Sequence, residues 1–205
     1  MMQTATNRAG ETDEELMARF QAGDSSAMEE LFARFQKPLF NFFYRMVGRR
    51  ETAEDLVQET FLKLCRFGGS FRGSEAKFTT WLYSVAGNQC RDYLRRSARR
   101  PETPLPDLEQ SYSDGLTEPA PAAGDSPVED YLVRMELRAV LESAIRSLPE
   151  RERLAIILRE YHGLEYREIA EALGSPLGSV KVLIFRARHR LREKLKDLAA
   201  ADGMD

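Results

Sequence analysis

Residues 163–196, GLEYREIAEALGSPLGSVKVLIFRARHRLREKLK, decide how the chain is read. The stretch predicts two helices separated by a tight break. Ile169, Ala170 and Leu173 form one apolar stripe on the first. Gly174 closes it, because glycine adopts the left-handed backbone of a helix end at little cost. Ser175 can cap the second helix and Pro176 suits its first turn, where no amide donor is needed. Val180, Ile184, Ala187, Leu191 and Leu195 then recur every three or four residues. That spacing turns Lys181, Arg186, Arg188, Arg190, Arg192, Lys194 and Lys196 mostly outward. A short helix, a turn and a longer basic helix make a helix-turn-helix, whose second helix fits a DNA major groove. A plain helical hairpin with a solvated basic face satisfies the same spacing.

Two further helices precede this unit. Leu132, Met135, Leu137, Val140, Leu141, Ile145 and Leu148 describe one that ends at Pro149. Leu154, Ile157, Leu158 and Tyr161 form the inward face of the next, stopped by Gly163. Together these define a domain over residues 129–198. Residues 101–128 have a different composition, with six prolines, six acids, no basic residue and little periodicity. Such a segment buries too little apolar surface to fold alone and is expected to be an extended linker. Its charge suits either a solubilising tether or a segment that lies in a basic channel.

Residues 12–100 form the other expected domain. Thr12 and Glu15 have capping-box spacing and open a helix with Leu16, Met17 and Phe20 on its apolar face. Gly23 and Asp24 break it, and Ser25 or Ser26 caps a longer helix. There Met28, Leu31, Phe32, Phe35, Leu39, Phe42, Phe43 and Met46 turn inward, with Pro38 expected to kink the helix or begin a new turn. Gly48 ends it. A helix from about residue 51 to residue 67 buries Leu56, Val57, Phe61, Leu64 and Cys65 and carries acids in its first half, where the helix dipole favours anions. Those acids could equally dock a basic partner. A glycine-rich loop, GGSFRGSEAKFTT, carries Phe71, Arg72, Lys77 and Phe78. Aromatic and basic residues there could hold an unstacked base, or plug the end of the domain. From Thr80 a helix places Trp81, Leu82, Val85, Cys90 and Leu94 inward, with a dense run of arginines along its later part.

Composition narrows the classes. The net charge of −3 conceals a split: residues 1–100 are net +3, residues 101–128 net −6 and residues 129–205 neutral. A phosphate backbone responds to the local field, so the total does not argue against nucleic acid. No apolar run approaches the ~20 residues that span a bilayer. The start MMQTATNRAGETDEE lacks a secretory core, so a cytoplasmic protein with reduced cysteines is expected. His162 and His189 sit in no metal or triad pattern, and no nucleotide-binding loop occurs. The expectation is therefore an all-α protein with no metal site and no histidine-based catalysis.

Four stretches together resemble the bacterial RNA polymerase sigma factors of the extracytoplasmic-function (ECF) subgroup. They are AEDLVQETFLKL, FRGSEAKFTTWLYSVAGNQCRDYLRR, LPERERLAIILREYHGLEYREIAEALG and PLGSVKVLIFRARHRLRE, in family order. The resemblance implies a non-enzymatic protein with a region 2-like domain, a linker and a region 4-like helix-turn-helix domain, with core RNA polymerase and promoter DNA as partners and no cofactor or small-molecule substrate. An anti-sigma factor is a further partner of many members. By the resemblance, Asp55, Gln58 and Glu59 dock on the polymerase. The loop carrying Phe71, Arg72, Ser74, Lys77 and Thr80, with Trp81 beside it, captures a flipped minus-ten base. Asn88, Arg91 and Arg95 contact the adjacent duplex. Tyr166, Arg167, Ser179, Lys181, Val182, Phe185, Arg186 and Arg188 meet the minus-thirty-five element. The linker matches a segment that threads towards the polymerase cleft. Members often carry a small polar residue and then arginine after the matching lysine, where this chain has Val182 and Leu183. These apolar side chains either pack on a thymine methyl or, for Leu183, join the core. The rival classes are an ordinary helix-turn-helix regulator with a sensing domain and a helical protein that binds other proteins.

Overall fold

Thr12 opens the described fold as its spacing predicts. Its hydroxyl accepts from the Glu15 amide at 3.2 Å, and its own amide donates to the Glu15 carboxylate at 2.8 Å. The computed structural model describes residues 10–73, 76–99 and 128–202, which form α-helices and no strand. They are α1 (Asp13–Gln21), α2 (Ser25–Val47), α3 (Arg50–Phe67), α4 (Phe78–Arg99), α5 (Val128–Arg146), α6 (Glu150–Glu160), α7 (Tyr166–Ala172) and α8 (Leu177–Asp202), with a 3-10 turn at Gly68–Ser70. Residues 1–9, the expectation for Ser74, the linker up to residue 127 and the side chain of Leu132 lie outside the described residues.

The first four helices share a phenylalanine-rich core. Leu31, Phe35, Leu39, Phe42, Phe43 and Met46 of α2 are buried, against Leu56, Val57, Phe61 and Leu64 of α3 and Phe78 and Leu82 of α4. That packing explains why α2 runs unbroken through Pro38. A proline inside a helix costs about 3 kcal/mol. Each buried Phe or Leu beside it returns about 1.5–3 kcal/mol. The helix therefore continues past Pro38 and no new element begins there. Asp24 rather than either serine caps α2, its Oδ1 accepting from the Ser26 amide at 3.0 Å. Gly48 ends α2 in the left-handed region at φ 77°, as its type suggests.

Four side chains expected inside lie outside. Phe32 is 39% exposed, although its ring still meets Phe61 at 4.7 Å, and Leu137 is 62% exposed. Tyr161 is 38% exposed beneath the Arg45 guanidinium. Cys65 is exposed, while Cys90 is buried and burial pushes its thiol up to about 12; both are free.

The second group is α5 to α8. Leu154, Ile157 and Leu158 of α6, Ile169 and Ala172 of α7, and Val180, Ile184 and Ala187 of α8 are buried together. Gly174 takes φ 54° after α7. Ser175 caps nothing: its hydroxyl donates to the Leu173 carbonyl and accepts from Arg151. The two groups also pack on each other, α4 against α7 and α2 against α5 and α6, so one core runs through both.

Candidate functional site

Three surfaces carry the candidate residues. On α3, residues 55, 58 and 59 lie along one side of the helix because spacings of three and four return to the same face. Asp55 and Gln58 are exposed, and Asp55 has no ion-pair partner among the described residues. Glu59 is fixed more firmly. It pairs with Lys63 at 3.2 Å and accepts from the Gln89 amide group at 3.1 Å. Gln89 is buried on α4 and also donates to the Leu56 carbonyl at 3.0 Å, while its own oxygen accepts from Thr60 at 3.0 Å. This network locks α3 to α4 under the acidic face. Sequence reading missed Gln89, although a glutamine between Asn88 and Cys90 falls on the helix's inward side.

The second surface is the loop before α4 and the helix itself. Phe71 is only 6% exposed, its ring 5.3 Å from Trp81 and 5.8 Å from Phe78. Gln21 donates to both the Gly68 and Phe71 carbonyls, and the Glu14 carboxylate accepts from the Phe78 amide at 2.7 Å. The ring therefore plugs the end of the domain and is not presented as a stacking platform. Thr80 is buried too, whereas Arg72 is exposed and Trp81 half-buried. Lys77 is exposed but ion-paired with Glu168 of α7 at 2.8 Å. That contact raises the ammonium pKa and, together with the Glu165 amide, lowers the Glu168 carboxyl. Along α4, Asn88 accepts from Arg91, and Arg95 pairs with Asp92 at 3.0 Å. Pairs this exposed are worth about 0.2–1 kcal/mol and release their arginines readily. Asn88, Arg91 and Arg95 thus share the free side of α4 while Tyr83, Gly87 and Cys90 are covered.

The third surface is the helix-turn-helix. Its buried stripe leaves Ser179, Lys181, Val182, Phe185, Arg186 and Arg188 exposed on α8, with Arg167 exposed and Tyr166 half-buried on α7. Lys181 and Arg186 have no ion-pair partner among the described residues, whereas Arg188 is held by Glu160 at 2.6 Å. Arg159 lies over the Tyr166 ring, 5.1 Å from its centroid. Leu183 packs against the core. Val182 and Phe185 are 46% and 70% exposed, apolar side chains standing among cations. Cations for phosphates beside apolar groups for base methyls match what a major groove presents. Among the described residues no helix is long and apolar enough to cross a membrane, and no cluster of three or more His, Cys, Asp or Glu residues could hold a metal.

Two family models match the chain: Sigma-70 region 2 over residues 31–100 and Sigma-70, region 4 over residues 138–191. The ECF RNA polymerase sigma-E factor of Haemophilus influenzae is 39% identical over 189 residues, covering 91% of this chain and 97% of that protein. That of Escherichia coli K12 is 38% identical over 187 residues, covering 91% and 96%. Among solved structures, the sigma factor RpoE in complex with the anti-sigma factor NepR from Bartonella quintana aligns with a TM-score of 0.60 at 25% identity. It covers 82% of this chain and 96% of that one. CnrH in complex with the cytosolic domain of CnrY aligns with a TM-score of 0.61 at 23% identity, over 91% and 99%, a likeness of fold.

Proposed function

Given that this chain belongs to the ECF sigma factors of RNA polymerase, we propose that its residues divide the family's task as follows. Residues 12–100 dock on core RNA polymerase through Asp55, Gln58 and Glu59. The same domain meets the minus-ten element through Arg72, Ser74, Lys77 and Trp81 and the adjoining duplex through Asn88, Arg91 and Arg95. Phe71 and Thr80 hold the loop from beneath. Residues 101–128 tether this unit to residues 129–198, whose Tyr166, Arg167, Ser179, Lys181, Val182, Phe185, Arg186 and Arg188 meet the minus-thirty-five element. No covalent step is required. Holding both readers on one enzyme raises the effective concentration of each at its own element, so neither needs to bind tightly alone. Capture of an unstacked base then offsets an opening cost of a few kcal/mol.

The observation that carries this reading is the outer face of α8, where Lys181 and Arg186, without an ion-pair partner among the described residues, flank exposed Val182 and Phe185. A helical hairpin stabilised only for its own sake gains nothing from grouping those side chains with cations on one face. The complex of RpoE with NepR, similar to this chain over most of its length, supports an anti-sigma factor as a further partner. The test is transcription in vitro from genomic fragments with core polymerase, with start sites mapped, and Asp55→Arg as the discriminating variant. Asp55 is exposed and has no ion-pair partner among the described residues, so its replacement should leave the helical fold intact and weaken retention on core polymerase by tenfold or more. Undiminished retention would remove α3 from the docking surface.

A further inference from the structure

Glu59 is held from two sides, and the two holds differ in kind. On the solvent side its Oε1 meets Lys63 at 3.2 Å, in a pair whose members are both more than a third exposed. Such a pair is worth little and is readily exchanged for another cation. On the inner side its Oε2 accepts from Gln89 Nε2 at 3.1 Å, and Gln89 is only 1% exposed. The outer partner is a charge that yields, whereas the inner one is a neutral amide fixed inside the domain.

The site dictates the residue type at position 89. Its Nε2 faces two groups that only accept, the Glu59 carboxylate and the Leu56 carbonyl at 3.0 Å, so both amide protons are committed. Its oxygen therefore faces the Thr60 hydroxyl, which donates at 3.0 Å. An aliphatic side chain would fill the space and hold nothing, and a glutamate would turn an oxygen on both acceptors. A cation there would orient Glu59 but cancel its charge. A neutral donor orients the carboxylate and leaves its charge available to a basic surface. We propose that Gln89 is a positioning residue for polymerase docking, fixing the Glu59 carboxylate from inside the domain in the pose that the polymerase meets. This rests on the docking reading of α3 given above. A side chain ordered before contact has less freedom to lose on binding, and immobilising one such side chain costs roughly two- to twelvefold in affinity.

A double-mutant cycle in the full chain tests this, with affinity for core polymerase and the urea midpoint measured on each variant. Gln89→Met should keep its helical circular dichroism and lower the affinity by about threefold or more. In a Glu59→Ala background, where there is no carboxylate to position, the same change should lower the urea midpoint but leave the affinity where Glu59→Ala alone puts it. Thr60→Val removes the donor to the Gln89 oxygen, so it should also lower the midpoint, yet bind core polymerase as wild type does because Glu59 keeps its inner hold. Gln89→Asn, which keeps the amide but draws it back by one carbon, repeats the cycle should the methionine variant lose its helices. Equal losses of affinity with and without Glu59, or a loss in Thr60→Val that matches that of Gln89→Met, make Gln89 a purely structural residue and overturn the proposal. A Gln89→Met chain that binds as wild type, while Glu59→Ala binds weakly, also overturns it and leaves the docking reading standing. Should Glu59→Ala itself bind as tightly as wild type, the docking reading fails at that residue and the positioning role falls with it.

Discussion

Phe71→Ala separates two roles that the sequence leaves open. The ring is 6% exposed and lies against Phe78 and Trp81 in edge or tilted contacts. Truncating a buried phenylalanine removes its transfer free energy and leaves a cavity, typically costing 3–5 kcal/mol. This ring sits at the end of the domain, where the loop can partly collapse, so the lower end applies, about 3 kcal/mol. For a domain of this size each kcal/mol moves the midpoint by roughly 4–8 °C, giving a fall of at least about 12 °C. Trp81 is the chain's one tryptophan and touches the substituted ring, so its fluorescence during urea or thermal unfolding reports the loss at its source. A midpoint within about 2 °C of wild type, with promoter opening nonetheless impaired, would refute the structural role and restore Phe71 as a base platform.

Other outcomes follow from the same geometry. Gln89→Leu should lower stability by about 1–3 kcal/mol in urea unfolding, because Glu59 and Thr60 each lose a partner in a buried network. Arg186→Ala should reduce the slope of log affinity against log salt by about 0.9 on promoter duplex if the guanidinium neutralises one phosphate; an unchanged slope removes it from the backbone contacts. The packing of α4 against the second group of helices should also weaken in mild acid. Burial first, and then the charge of Arg45, hold His162 down to about 4, so below its ordinary 6.5 a chain that has lost this packing takes up a proton that the packed chain refuses. The contribution is thus fully present above 6.5 and declines as pH falls towards 4; at pH 5.5 the loss is about tenfold, or 1.4 kcal/mol. Tyr83, Arg138 and Glu142 face the same cleft, and the Glu168 carboxyl, already lowered by Lys77, loses its contribution only below its ordinary 4.5. Scattering at pH 7.5 and 5.5 therefore isolates the histidine, and equal radii at both would exclude it.

What the sequence disclosed depended on how local the cause was. The Thr12–Glu15 box, the turn at Gly48 and the Val180–Ile184–Ala187 stripe each arise within two turns of chain, and each appears as read. Pro38 begins no new helix, because its penalty is local while the packing that carries α2 past it comes from α3 and α4. Leu137 and Tyr161 belong to apolar patterns that mark a face, but a pattern does not reveal how wide the covering neighbour is. Gln89, His162 and Glu168 were invisible as partners for the same reason. Each acts across 29 residues of sequence or more, and no spacing rule reaches that far.

The exposed apolar residues give the clearest division between folding and function. Leu62 and Phe67 on α3 and Leu137 on α5 are more than half exposed, yet exposed apolar side chains are ordinary on a protein surface when scattered singly. Phe185 and Val182 differ in company rather than in area. They occupy one face with Ser179, Lys181 and Arg186, and Leu183, the neighbour that could have joined them, turns into the core instead. Placing apolar surface among unpaired cations gains nothing within the fold, since neither group screens the other. Against a duplex the same mixture has a use at every position, with cations meeting phosphates and apolar carbons meeting thymine methyls. If α8 meets the minus-thirty-five element as proposed, this face should prefer an element rich in thymine, and thymine-to-cytosine exchanges there should weaken binding.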